Sequence, residues 1–139
     1  MALGTDFILH ALAREGLSHL FLVPGGLVDP FLPALARHPE IKPVVAAHEG
    51  GAAYMADGYA RASGRFGAVL GIGGPGLCNM ATAVAAAKTD AAPLLVLSGE
   101  VPVAMEGLGE FQDASQATLD DTAVMKPLTR LSMTAVSAS

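Results

Sequence analysis

The fold is decided by residues 66–76, which read FGAVLGIGGPG. Residues 66–72 form an apolar run with the length of a buried strand, and the glycine-proline turn of residues 73–76 ends it. The segment that follows, up to about Lys88, is rich in alanine and is typical of a helix. A strand, a tight turn and a helix in this order predict a βαβ unit within a parallel sheet.

The same alternation extends in both directions from this stretch. Predicted strands cover residues 19–23, 43–47, 66–72 and 93–98, and predicted helices cover residues 5–16, 29–38, 48–63 and 76–88. Thr5 and Asp29 are expected as N-caps, and Gly16 and Gly64 as helix ends. The sequence therefore predicts an α/β fold, a doubly wound parallel sheet flanked by helices on both faces.

The pattern weakens after Glu100. We expect a glycine-rich loop up to Glu110, a short helix at residues 115–124 and a last strand at residues 128–133. The strand at residues 93–98 is uniformly apolar, which indicates that both of its faces are covered.

Composition excludes several classes of protein. The chain has 139 residues, 52% of them hydrophobic, which indicates one compact domain with a real core. A net charge of −5 without any basic cluster argues against nucleic acid as a partner. The most apolar region, residues 81–99, contains Lys88, Asp90 and Pro93, so no membrane span is predicted. A single cysteine and no visible signal peptide indicate the cytoplasm, and the surplus of alanine and glycine indicates a buried association surface.

Three glycine-rich loops follow predicted strands, at residues 24–26, 48–51 and 73–76. In open α/β sheets the carboxyl ends of parallel strands meet at one edge, where ligands bind. Each loop alone also fits a plain turn between a strand and a helix. Glu49, in the second loop, opens a helix, where an acid either complements the helix dipole or shares a proton with a ligand nitrogen.

Taken together, these motifs resemble one family. Residues 48–61, HEGGAAYMADGYAR, are similar to the helix with the cofactor-activating glutamate in thiamine-diphosphate enzymes of the acetohydroxyacid (acetolactate) synthase and pyruvate oxidase group. Residues 73–79, GGPGLCN, resemble the Ser-Gly-Pro-Gly-x-x-Asn loop of that family. Residues 23–26 and 111–113 match its first loop and its Phe-Gln-Glu segment. The resemblance covers about residues 3–133 and identifies a pyrimidine-binding domain with the thiamine-diphosphate-binding fold.

The resemblance implies a role for Glu49 and a set of binding residues. Glu49 would hydrogen-bond N1′ of the aminopyrimidine of thiamine diphosphate, and so activate the cofactor for attack on a 2-oxo acid such as pyruvate. The cofactor-binding residues would be Pro24, Gly25, Glu49, Pro75, Gly76 and Asn79. On the substrate side would lie Val23, Gly26 and Gln112.

Some expected residues are replaced or missing. Ile72-Gly73 stands where the family has Thr-Ser, Asp113 replaces a Glu, and Ala47 replaces an Arg, so the resemblance leaves the substrate open. The sequence lacks the Gly-Asp-Gly motif and paired Asn that hold Mg²⁺ and the diphosphate in a separate domain of the family. The resemblance therefore implies one pyrimidine-binding domain over residues 1–139, the first domain of a longer chain. Its active site would be completed by a diphosphate-binding domain in cis or in trans, in a homodimer or higher oligomer, and the chain alone would be inactive.

Two other functions fit parts of the sequence. Gly71-x-Gly73-x-x-Gly76 with Glu100 further on resembles a dinucleotide-binding fingerprint, although Pro75 removes a backbone donor there. Alternatively, the chain is a separately encoded subunit of a two-subunit 2-oxo acid decarboxylase, or an interaction domain that pairs through the helices at residues 48–61 and 77–88.

The remaining polar residues are expected to be structural. His10, His19 and His38 lack metal-ligand spacing, so no metal site is predicted in this chain. We expect a structural role for His48, core packing for Cys78 and a solvated turn at residues 120–121.

Overall fold

The computed structural model describes residues 4–135 and contains a sheet of four parallel strands. The strands are β1 (His19–Leu22), β2 (Lys42–Val45), β3 (Gly67–Ile72) and β4 (Leu94–Gly99). The helices are α1 (Gly4–Arg14), α2 (Phe31–Arg37), α3 (Glu49–Ser63), α4 (Pro75–Thr89) and α5 (Asp121–Met125). Two short 3₁₀ turns cover Val103–Met105 and Lys126–Leu128.

Helices cover both faces of the sheet because successive strand residues point to opposite sides. Leu20 and Leu22 of β1 pack into one core cluster with Leu9 of α1 and Leu35 of α2. Phe21, between them, packs into a second cluster with residues of α3 and α4, which contact each other along their lengths. The predicted doubly wound α/β fold is confirmed.

The strand order β2-β1-β3-β4 creates a switch point between β1 and β3. From β1 the chain passes through α2 to β2 at one side, and α3 then carries it back across to β3 at the other side. The loops after β1 and β3 therefore diverge to opposite faces and leave a crevice at the carboxyl ends of these strands, where ligands bind in such sheets.

The ends of α1 to α4 differ from the prediction by a residue or two. Thr5 lies within α1 rather than before it, and the N-cap of α2 is Pro30, with no side-chain bond from Asp29. Bonds from the amides of Val28 and Asp29 to the carbonyl of Gly25 build a turn that delays the helix start. Gly16, with φ of 92°, ends α1 as predicted, because glycine accepts the left-handed conformation at this position without steric cost.

The part of the chain after β4 departs most from the prediction. No strand is formed at residues 128–133: the ammonium of Lys88 donates to the carbonyl of Pro127 at 2.6 Å, and the hydroxyl of Ser132 donates to the carbonyl of Thr122, so this segment lies against α4 and α5. The short helix begins only at Asp121. Within the described residues β4 is therefore an edge strand. Both of its faces are covered, as predicted, because Leu94 and Val96 pack against one core cluster and Leu95 and Leu97 against the other, but all four side chains are only half-buried.

Helix α4 exposes Cys78, contrary to the expected core position. The buried stripe of α4 contains Gly76, Leu77, Met80, Ala83, Val84 and Ala87. Cys78 lies off this stripe, which follows the helical repeat. In the described part of the chain, no helix has the length and apolar character needed to cross a membrane.

Candidate functional site

Glu49 is the first residue of α3, and its neighbours fix where it lies. The ring Nδ1 of His48 accepts a hydrogen bond from the amide of Gly50 at 3.1 Å, so His48 caps the helix, in keeping with a structural role. The side-chain amide of Asn79 on α4 donates to Oε2 of Glu49 at 3.0 Å. The half-buried carboxylate of Glu49 is thus held between two helices at the carboxyl ends of the strands.

Two glycines bring backbone close to Glu49. A Cβ atom added at Gly76 would lie 3.4 Å from Oε1 of Glu49, and one added at Gly71 would lie 3.4 Å from its Cγ. Side chains at these positions would fill the space around the carboxylate. Among residues 4–135, Oε1 of Glu49 accepts no hydrogen bond, while Oε2 is held by Asn79. One carboxylate oxygen is therefore oriented and the other is available to a ligand nitrogen, which fits an aminopyrimidine ring.

The first glycine loop borders the same space through Ile72. A Cβ atom added at Gly25 would lie 3.0 Å from Cγ2 of Ile72, and one added at Gly76 would lie 2.7 Å from Cγ1 of the same side chain. The amide of Val23 donates to the carbonyl of Leu70, which continues the pairing of β1 with β3. Val23 and Gly25 are therefore brought to the site, whereas Pro24 and Gly26 are exposed at the loop surface.

The turn between β3 and α4 has its own amides engaged. The amide of Gly73 donates to the carbonyl of Gly99 at 2.7 Å, and the amide of Gly74 donates to both oxygens of Asp121 at 3.0 and 3.2 Å. Pro75, the first residue of α4, has no amide hydrogen. A dinucleotide diphosphate requires free amides at this turn, and here it would meet a carboxylate instead.

Glu100, the acid that a ribose would need in the dinucleotide alternative, is also engaged. Its Oε1 accepts hydrogen bonds from the amides of Val101 at 2.7 Å and Ala114 at 3.2 Å. Together with the turn at residues 73–75, this geometry argues against dinucleotide binding.

The segment with Gln112 lies beside the turn. The carbonyl oxygen of Gln112 is 3.9 Å from the position of a Cβ added at Gly74. Asp113 organises this loop, because its carboxylate accepts hydrogen bonds from the amides of Gly107 and Ser115. Hydrogen bonds lower the pKa of the Asp113 carboxyl, and the bond with the side chain of Ser115 is the largest cause. The structure thus brings Gln112 to the same end of the sheet as Gly76.

Asp121 was missed by the sequence reasoning, and the expected solvated turn at residues 120–121 is wrong. Asp121 is buried, with 8% of its surface exposed, and burial is the first cause that raises the pKa of its carboxyl. Asp120 caps α5 by accepting a bond from the amide of Ala123 at 3.0 Å. An Asp-Asp-Thr sequence ahead of an apolar run is a helix-start signal that could have indicated this.

Other polar groups and clefts lie away from Glu49. Within residues 4–135, no group of three His, Cys, Asp or Glu side chains is arranged to hold a metal ion. The guanidinium of Arg37 and the carboxylate of Asp6 join α2 to α1 at 2.8 Å. A surface cleft of about 440 Å³ at the β2 edge is apolar and contains none of the predicted site residues.

Comparison with known proteins identifies the family. The family described as "Thiamine pyrophosphate enzyme, N-terminal TPP binding domain" matches residues 3–124. The acetolactate synthase isozyme 1 large subunit of Escherichia coli (strain K12) is 35% identical over 127 residues, which are 91% of this chain and 22% of that protein. A probable acetolactate synthase large subunit of Methanococcus aeolicus is 42% identical over 110 residues, which are 79% of this chain and 18% of that protein.

A glyoxylate carboligase of Escherichia coli O157:H7 is 35% identical over 132 residues, 94% of this chain and 21% of that protein. The chain therefore spans about a fifth of the length of these curated relatives. The match confirms the resemblance to acetolactate synthase-like pyrimidine-binding domains that the motifs around Glu49 and Gly76 indicated. The fold, the grouped motifs and the family match agree, and the chain belongs to the thiamine pyrophosphate enzymes, within their N-terminal TPP-binding domain family.

Proposed function

We propose that this chain binds the aminopyrimidine of thiamine diphosphate, with Oε1 of Glu49 on N1′ of the ring. The observation that carries the proposal is the carboxylate of Glu49, oriented by Asn79 at 3.0 Å and bordered by the backbone of Gly71 and Gly76. A half-buried carboxylate with one oxygen engaged can share a proton with a ring nitrogen instead of losing it to water. Pro24, Gly25 and Pro75 would complete the ring site.

The charges around the site support binding of the ring rather than the diphosphate. Three carboxylates, those of Glu49, Glu100 and Asp121, lie at or next to it, and the amides of Gly73 and Gly74 are already bonded. Negative charge favours a protonated pyrimidine and repels phosphate. The diphosphate and its Mg²⁺ would therefore be held by another domain, whose Gly-Asp-Gly motif this sequence lacks.

The reaction we propose is decarboxylation and carboligation of a 2-oxo acid such as pyruvate, as in acetolactate synthases. When bound, thiamine diphosphate supplies the carbon nucleophile and the electron sink for this chemistry. Glu49 would hold the proton at N1′, and Val23, Gly26 and Gln112 would face the substrate. The chain would be the first domain of a longer enzyme or a separately encoded subunit, paired as a homodimer or higher oligomer with a diphosphate-binding domain in cis or in trans.

Nuclear magnetic resonance tests the ring site directly. We expect 4-aminopyrimidine and thiamine diphosphate to shift the amide signals of Glu49, Gly71, Gly76 and Asn79, and NADH to leave them unchanged. Glu49→Gln should weaken binding of 4-aminopyrimidine about tenfold or more, because it removes the negative charge that favours a protonated ring nitrogen while keeping the shape of the side chain. Glu110→Gln, a change of the same kind on the exposed loop, is the control.

Shifts confined to other parts of the chain, or equal binding by Glu49→Gln, would contradict the assignment. We also expect the chain alone, supplied with thiamine diphosphate, Mg²⁺ and pyruvate, to release no carbon dioxide above background. Turnover under these conditions would show that no second domain is needed.

A further inference from the structure

The turn at residues 73–74 is attached to a residue far away in the sequence. Gly74 donates its amide to the carboxylate of Asp121, 47 residues further on, at 3.0 and 3.2 Å. Gly74 has φ of 63°, a conformation that favours glycine. Bonds from an amide to a charged acceptor are stronger than neutral ones, so Asp121 holds this turn against α5.

A second carboxylate converges on the same turn. A Cβ atom added at Gly73 would lie 3.0 Å from Oδ2 of Asp121 and 3.3 Å from Oε2 of Glu100. Glu100 in turn holds the amide of Ala114, whose Cβ would be 3.5 Å from a Cβ at Gly74. Asp121 therefore bonds the turn to α5, and Glu100, which lies beside the turn, holds the loop that contains Gln112.

This arrangement is unfavourable for stability on its own. Burial raises the pKa of Asp121, and the negative charges of Glu100 and Asp120, the ionisable groups that face it, raise it further. Two like charges close together in a partly buried place disfavour each other. Sites that depart from the locally most stable choice are expected where function requires them.

The turn is connected rigidly to Glu49. The carbonyl of Gly74 accepts the amide of Cys78 at 2.9 Å in the first turn of α4. Two residues after Gly74, the backbone of Gly76 borders Oε1 of Glu49, and one helical turn further Asn79 holds Oε2. A displacement of Gly74 would therefore move both groups that define the space around the Glu49 carboxylate.

We propose that Asp121 is a positioning residue for the pyrimidine site: through the amide of Gly74 it fixes the start of α4, and so the distance of Gly76 and Asn79 from Glu49. The proposal rests on the proposed function, since it assigns to Asp121 a role in the ring site that is exerted through the amide of Gly74. Its conservative variant Asp121→Asn keeps an oxygen that can accept the amide of Gly74, whereas Asp121→Ala keeps none.

The test compares Asp121→Ala and Asp121→Asn with Asp120→Ala and Asp120→Asn, which change the neighbouring acid that does not contact Gly74. Amide exchange in the free chain and binding of 4-aminopyrimidine are both measured by nuclear magnetic resonance. Asp121→Ala should speed exchange at Gly74 and weaken 4-aminopyrimidine binding by about tenfold or more relative to Asp120→Ala. Asp121→Asn should recover most of both effects and keeps the experiment decisive if the alanine variant does not fold.

The free chain supplies a readout that a purely structural role would not move. The amide signal of Gly74 in the wild type should titrate with a pKa above the ordinary range of an aspartate, and the signal of Asn79 should follow the same curve. Both titrations should be absent in Asp121→Asn and should persist in Asp120→Asn, with a lower pKa because the charge of Asp120 has been removed. If Asp121→Ala binds 4-aminopyrimidine as tightly as the wild type does, the positioning role alone is overturned. Absence of any wild-type binding would overturn the proposed function and the positioning role together.

Discussion

Gln112 has a backbone conformation that its residue type disfavours. Its φ is 105°, in the region that favours glycine, and its carbonyl faces the turn at Gly74. Strain of this kind persists only where the surroundings impose it, and it concentrates at functional sites. Here the surroundings include the bonds of Asp113, which close the loop on either side of it.

This strain predicts that glycine is more stabilising than alanine at position 112, the reverse of the usual order of these two residues. Gln112→Gly should be more stable than Gln112→Ala by about 1 kcal/mol, because glycine accepts a positive φ that alanine resists. Urea denaturation of the two variants measures the difference in free energy of unfolding. Gln116, exposed in the same loop and without a positive φ, is the control: there alanine should equal or exceed glycine in stability. Equal stability of the two Gln112 variants would mean that the loop relaxes freely.

The role of a single residue could be predicted where the signals for it lie close together in the sequence. His48 and Glu49 were recognisable because a helix start and a family motif coincide in one short stretch. Asp121 was not, because its burial and its bond to Gly74 depend on contacts 47 residues apart in sequence. Cys78 was misplaced by assuming that a lone cysteine packs inside, although the position of Leu77 and Met80 on the buried stripe of α4 leaves it outside.

At the scale of elements, α3 and β3 pack with almost no space between them. A Cβ atom added at Gly67, the first residue of β3, would overlap the backbone carbonyl of Ala56 on α3. Backbone atoms in the middle of a helix cannot move aside as a flexible side chain can. The close approach brings the helix that begins at Glu49 onto the strand that leads to the turn at Gly73.

We expect Gly67→Ala to lower the free energy of unfolding by about 1–3 kcal/mol or more, the usual range for overpacking against rigid neighbours. Gly26→Ala is the matched control, since a Cβ atom there meets no atom within 4 Å and its φ is not positive. It should leave stability unchanged or raise it by up to about 1 kcal/mol. Denaturant unfolding of both variants provides the comparison, and a small loss at Gly67 would show that α3 can shift away from the sheet.

The elements that were predicted well are those with strong local signals. The turns at Gly16, Gly64 and residues 73–76, and the apolar runs that they separate, placed β1 to β4 and α1 to α4 to within a few residues. The strand expected at residues 128–133 is absent because a strand requires a neighbour to pair with, and bonds from Lys88 and Ser132 hold this segment against helices instead. Sequence periodicity carries no information about such a neighbour.

At the scale of the whole molecule, the order β2-β1-β3-β4 decides which loops can meet. Alternation of strands and helices predicts a parallel sheet but leaves this order open, and the site depends on it: β1 and β3 must be adjacent for Gly25 and Gly76 to share Ile72. The family resemblance, which includes all the loops at once, supplied what periodicity could not. The structure also shows the carboxylates of Asp121 and Glu100 next to the turn at residues 73–74, which the sequence did not indicate.

The outer face of α3 and α4 is the surface we expect to pair two copies of the chain. Tyr54 and Met55 on α3 are 50% and 46% exposed, and small residues of the two helices that are not buried, among them Gly51 of α3 and Cys78 of α4, would let a second helix pair approach closely. The resemblance also implies pairing at this face. Met55→Glu would place a carboxylate in the contact, where removal from water disfavours it.

Sedimentation velocity over the micromolar range tests this association. We expect a wild-type dimer, and a dissociation constant raised about tenfold or more by Met55→Glu, since an unpaired charge in an interface costs at least about 1.4 kcal/mol. Phe7→Glu is the control because Phe7, 71% exposed, belongs to α1 on the opposite face of the sheet. A wild-type monomer, or equal weakening by both variants, would exclude the α3–α4 face. A Met55→Glu monomer that keeps its 4-aminopyrimidine shifts would show that the ring site lies within one chain and only its completion requires the partner.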